Sequence, residues 1–100
     1  MSTVAAYQQA LRELLAARQR LRAMVETART VAGAFEGWEK ADPRGLNGAL
    51  DRAVASWPAP GALAAAIADW KDAAERVHAA WAGIPANDRV GLKDPNEAAA

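Results

Sequence analysis

Apolar residues recur every seven positions through the first forty residues of the chain. Val4, Leu11, Val25 and Ala32 occupy one position of the repeat, with Arg18 interrupting the series; Tyr7, Leu14, Leu21, Ala28 and Phe35 occupy the other. Spacings of alternately three and four residues place these side chains along one narrow stripe of an α-helix. Such a stripe must be buried against another helix. Ser2 or Thr3 can cap this helix at its start. Gly37 can end it in the left-handed conformation, with Trp38 folding back on the last turn. The pattern predicts a helix to about Glu36, roughly 50 Å long at 1.5 Å per residue.

A second, shorter pattern follows. Asp42-Pro43-Arg44-Gly45 reads as a turn, because Asp accepts a local hydrogen bond, Pro presets its torsion and Gly suits the fourth position. Leu46, Ala49, Leu50, Ala53, Val54 and Trp57 then repeat at helical spacing. They predict a helix from Leu46 to Ser56, with Asn47 as its cap. Gly48 weakens it, so it should exist by packing.

Two prolines, Pro58 and Pro60, push the residues before them toward extended backbone. Proline also suits a first helical turn. A third helix is expected from Pro60 to Ala82, stopped by Gly83 and Pro85. Its seam is Leu63, Ile67, Trp70, Ala74, Val77 and Trp81, continued beyond the helix by Ile84. The remainder, Ala86 to Ala100, has loop composition, with Val90 and Leu92 able to pin it to the bundle. Residues 1–93 are thus expected to form one helical domain and residues 94–100 a flexible tail.

The fold class expected is all-α: a long antiparallel helical hairpin with coiled-coil-like seams and a short third helix in the connector. The third helix is only about 35 Å long. If the long helices pair outward from the connector, Phe35 meets Leu63, Arg22 lies near Glu75 or Arg76, and Arg29 lies near Asp69. The first turns of helix one then overshoot their partner and leave Tyr7, Leu11, Leu14 and Leu15 exposed. An apolar stripe of this kind usually marks an interface. The competing expectation is that the tail covers it through Val90 and Leu92. Arg18 on the seam can fix register and partner choice, or lie along the surface with its head in water.

Composition narrows the functional classes. Twelve basic and twelve acidic residues leave no net charge, which argues against nucleic-acid binding by bulk charge. The balance is uneven, since Arg12, Arg18, Arg20, Arg22 and Arg29 crowd helix one while Asp69, Asp72 and Glu75 sit on helix three. Pairing between the helices is the simpler reading of that asymmetry. With no cysteine there is no thiol or disulfide chemistry. No secretory leader or membrane-spanning run is evident. Alanine supplies little burial, so Trp38, Trp57, Trp70 and Trp81 are expected in the core; the alternative for Trp38 and Trp57, which flank the connector, is an exposed aromatic recognition patch.

The single histidine, His78, has no ligand cluster around it, and the three carboxylates of helix three are interleaved with Lys71 and Arg76. No metal site, cofactor or small-molecule substrate is therefore expected, nor an active site.

From Trp57 onward the chain reads Trp57-Pro58, Trp70, Trp81-Ala82-Gly83-Ile84-Pro85, Asp88-Arg89-Val90-Gly91-Leu92 and Asp94-Pro95. This layout resembles small helical proteins of uncharacterised role encoded among bacterial prophage genes. The resemblance implies a phage-associated setting such as particle assembly, and no assigned active site. Sequence thus leads to a non-enzymatic interaction or assembly protein, either cytoplasmic or part of a phage-type particle. It would self-associate or bind another protein through Tyr7, Leu11, Leu14 and Leu15. The alternative is nucleic-acid binding by Arg12, Arg18, Arg20, Arg22 and Arg29.

Overall fold

A computed structural model describes residues 2–40 and 48–98. Its elements are α1 (Thr3–Gly33), a 3-10 turn (Trp38–Lys40), α2 (Ala49–Ser56), α3 (Pro60–Ala82), a second 3-10 turn (Ala86–Arg89) and a short α4 (Pro95–Ala98). No strand occurs among the described residues. The two long helices pack against each other as an all-α hairpin, with α2 in the connector. The Asp42–Gly45 turn, Leu46 and Asn47 lie outside the described residues.

The helix ends follow from local chemistry. Ser2 caps α1 by accepting the Ala5 N–H at its hydroxyl, 3.4 Å away. At the other end the amides of Ala34, Phe35 and Glu36 donate three residues back, to Val31, Ala32 and Gly33. The helix therefore tightens and stops at Gly33, short of the expected Glu36. Glycine is the residue on that stretch with the poorest helix propensity. Gly37 takes the expected positive φ, 69°, but Trp38 is 52% exposed and does not fold back. Helix α3 has the expected bounds, Pro60–Ala82. Helix α2 begins three residues after the expected Leu46, with Gly48 at φ 75° preceding it.

The register of the hairpin differs from the expected one. Tyr7 packs on Trp81, Glu13 reaches Arg76, and Met24 and Thr27 share a shallow hollow with Pro58, Ala59 and Ala62. Pairing therefore ends before α1 does, and Phe35 lies beyond the start of α3 instead of facing Leu63. Helix α2 also packs against α1. Val31 on α1 and Ala53 on α2 are buried.

The contact stripe also differs. The buried α1 residues nearest α3 are Tyr7, Ala10, Leu14 and Ala17, and those of α3 are Ala73 and Val77. Small alanines let the two backbones approach closely. The other heptad series is rotated to the flank, where Val4 and Leu11 are half-buried and Val25 is exposed.

The molecule measures 68 × 22 × 14 Å, with a radius of gyration of 20.2 Å. A compact chain of this length has a radius of about 13 Å. Since a helix with side chains is about 10–12 Å across, the protein is two helices wide and close to one helix thick. A single layer of helices cannot enclose a core on all sides, and this leaves apolar flanks open.

Candidate functional site

The residues expected to form an exposed interface are largely internal. Tyr7 is 1% exposed and Leu14 is buried with it; Leu11 is half-buried, and Leu15 alone is exposed. The exposed stripe expected from the length mismatch is thereby corrected. The shifted register brings Trp81 and Ile84 over this end, and the tail adds Leu92. The Tyr7 hydroxyl donates to the Lys93 carbonyl oxygen at 2.7 Å. Its ring lies 5.0 Å from that of Trp81, tilted by 50°. Val90 takes no part, being 85% exposed.

Burial raises the pKa of Tyr7, and the nearby carboxylates of Asp94 and Glu97 raise it further. Within the segment expected to be a loose tail, Pro95–Ala98 form the turn of α4, with Pro95 buried. Asp94 caps it by accepting the Glu97 N–H at 2.8 Å.

Arg89 fastens this end. Its guanidinium donates to the carbonyl oxygens of Ile84 and Trp81, each at 3.0 Å, and lies 5.0 Å from the centroid of the Trp81 ring. A cation at the C-terminal carbonyls of a helix opposes the negative end of its dipole, and its place over an aromatic face adds a cation–π attraction. Sequence reasoning missed Arg89. The available signal was an arginine a few residues past a helix-ending Gly83.

The two long faces of the hairpin differ in chemistry. On one, Glu13, Arg20, Asp69, Asp72 and Arg76 line a small polar groove. Glu13 and Arg76 form an ion pair at 3.6 Å. Arg20 lines this groove together with Asp69 and Asp72, while the ion pair between the helices is that of Glu13 with Arg76; in the shifted register the expected neighbours, Arg22 with Glu75 or Arg76 and Arg29 with Asp69, do not fall opposite each other.

On the other face a larger groove, about 580 Å³, runs between α1 and α3. Its apolar lining is Leu14, Leu21, Val25, Trp70, Ala74 and Val77. Val25 is 37% exposed and Trp70 is 39% exposed, so Trp70, expected in the core, is instead a wall of this groove. Arg18, Arg22, Arg29, Glu26 and His78 supply its polar lining, and Pro95 and Asn96 border it from α4. Arg29 bonds Glu26 at 3.0 Å.

The five arginines of α1 do not form one surface. At about 100° per residue Arg18, Arg22 and Arg29 fall within roughly 40° of one another. Arg12 points elsewhere and donates to the Gln9 side-chain oxygen at 2.6 Å and 3.2 Å, and Arg20 lines the opposite, polar groove. Trp38 and Trp57, expected in the core at the connector end with an exposed aromatic patch as the alternative, are both exposed.

Among the described residues no helix is long and apolar enough to cross a membrane, and no group of three or more His, Cys, Asp or Glu side chains is placed to hold a metal ion. Comparison of the chain with family models, curated proteins and solved structures finds no match.

Proposed function

We propose that this chain is a non-enzymatic protein–protein interaction or assembly protein, and that its docking surface is the groove between α1 and α3. One observation carries this reading. The hairpin is a single layer of helices, and on one flank Leu21, Val25 and Trp70 line an open groove. A groove between two helices is a common seat for a third, which inserts apolar side chains at i, i+3 or i+4 and i+7. The contact set thereby moves from Tyr7, Leu11, Leu14 and Leu15 to Leu21, Val25 and Trp70. The phage-type particle implied by the resemblance, and the cytoplasm, are the settings this reading carries with it.

The test is a photo-crosslinking residue placed at Val25, compared with one at Thr27 on another side of α1, in the cells the protein comes from. A protein adduct formed at position 25, absent at position 27 and lost in a Leu21→Asp background, is the expected result. Equal labelling at both positions would sink the proposal.

Nucleic-acid binding by Arg12, Arg18, Arg20, Arg22 and Arg29 remains the alternative. It predicts a shift of DNA or RNA at low salt that weakens steeply as salt rises.

A further inference from the structure

The open groove is stopped at one end by the returning chain. Pro95 and Asn96 of α4 line it together with Leu14, and Leu92 packs on the same buried cluster as Val4 and Leu11. Leu11 and Val25 belong to one heptad series and fall within roughly 40° of each other on α1. The returning segment therefore lies on the flank that carries the groove. Its Leu92 and Pro95 fill the seam at one end as a docked helix would fill it at the other.

The segment has an anchor, a hinge and a light hold. Arg89 is fastened to the end of α3 through the carbonyl oxygens of Ile84 and Trp81. Val90, next along, is 85% exposed. Gly91 holds φ at 83°, with open space where a side chain would lie. Beyond it, α4 is a single turn capped by Asp94, too short to persist without the surface it rests on. What holds it there is the burial of Pro95, the partial burial of Leu92 and the bond from the Tyr7 hydroxyl to the Lys93 carbonyl. Contacts this few open at a lower free energy than the whole fold.

We infer that residues 92–98 are a strap that swings on Val90 and Gly91 and competes with the docked partner for one end of the seam. The inference rests on the groove being a docking surface and adds what sets its length. Opening the strap frees α1 from Tyr7 to Leu14, about 10 Å, or two further turns of a docked helix. Strap closure and docking over that stretch exclude each other, so a partner that uses it holds the strap open.

Two measurements on the full chain test this. The first is native-state hydrogen exchange in low urea. The Leu92 and Ala98 amides donate to the Arg89 and Asp94 carbonyls; they should exchange through an opening that depends weakly on urea, and those of Ala73 and Val77 through global unfolding. Gly91→Ala strains the closed hinge at positive φ and should speed the Leu92 and Ala98 amides about five- to thirty-fold. If all four amides share one urea dependence, the strap opens only when the protein unfolds, and the inference fails. The second places the photo-crosslinking residue at Leu11, with circular dichroism confirming that helix content is kept. An adduct of the same mass as that at Val25, and stronger in Gly91→Ala, is expected. No gain at position 11 while the adduct at position 25 persists overturns the strap and leaves the docking groove standing. Loss of the adduct at position 25 in both chains is the failure of the docking groove itself, and the strap's role falls with it.

Discussion

The two halves of α1 carry the same apolar repeat and meet different fates. In the first half, Tyr7 and Leu14 are buried and Leu11 half-buried under α3, Trp81, Ile84 and the returning tail. In the second half, Val25 stands exposed at the edge of an open groove. The repeat does not distinguish them. The number of elements around the stripe does: among the described residues the N-terminal half has a third element, the tail with Leu92, packed on it, whereas the middle has two helices and only the edge of α4 beside its open flank. A heptad stripe states that burial is needed, and the rest of the chain decides whether it is met internally.

The sharpest way to break that comparison is to truncate one side chain in each half. Tyr7→Ala removes a fully buried ring from the sealed end and should cost about 3–5 kcal/mol, the range for aromatic truncation in a core. Val25→Ala removes two methyl groups that already touch water and should cost under about 1 kcal/mol. Urea unfolding followed by circular dichroism measures both. Equal losses would show that the halves are equally packed.

Removing the tail from Leu92 onward converts the sealed half into a second open one. The loss should be about 2–4 kcal/mol, since buried apolar side chains contribute about 1.5–3 kcal/mol each. The truncated chain should also bind an apolar dye and associate with rising concentration, read by light scattering on a sizing column. An unchanged melting curve would mean the tail rests on this end without stabilising it.

The Tyr7 hydroxyl gives a subtler handle. Tyr7→Phe deletes the bond to the Lys93 carbonyl and should cost about 1 kcal/mol. It also has a pH signature. The folded pKa lies above the unfolded value of about 10. Below pH 10 both states keep the proton and the contribution is fully present. As pH rises from 10 toward the folded pKa, the unfolded chain ionises first, and the contribution is lost. The wild-type protein should therefore lose more stability than Tyr7→Phe in chemical unfolding above pH 10. Parallel curves across that window would show that the hydroxyl is not held as described.

Much of the fold was legible. Pro60 and Gly83 bracket α3 where proline and glycine chemistry puts its ends, and the heptads of α1 gave a long helix and an antiparallel partner. The register was not legible, because two heptad seams can pair in more than one offset, and the offset adopted rests on contacts between distant residues such as Tyr7 with Trp81. Nor was the true contact stripe. Ala10, Ala17 and Ala73 are buried, and an alanine reads equally as core, spacer or helix filler. Counting only bulky residues rotated the seam toward Val4, Leu11 and Val25. The groove inherits both errors: Leu21, Val25 and Trp70 were read as core, and the arginines beside them as one charged stretch rather than a cluster on one face.

The smallest expected effect contrasts the two faces of the hairpin rather than its two halves. Glu13 and Arg76 meet at 3.6 Å across the polar face, but both side chains are about half exposed. Exposed pairs of this kind contribute only about 0.2–1 kcal/mol, because water screens them and two long side chains must be held still. Glu13→Gln should therefore shift stability by no more than about 0.5 kcal/mol at physiological salt, and less at 1 M salt. The same substitution should leave crosslinking at Val25 unchanged, since Glu13 lines the opposite face. A loss of several kcal/mol would mean that charge pairing, rather than the packing of Tyr7, Ala73 and Val77, sets the register of the hairpin.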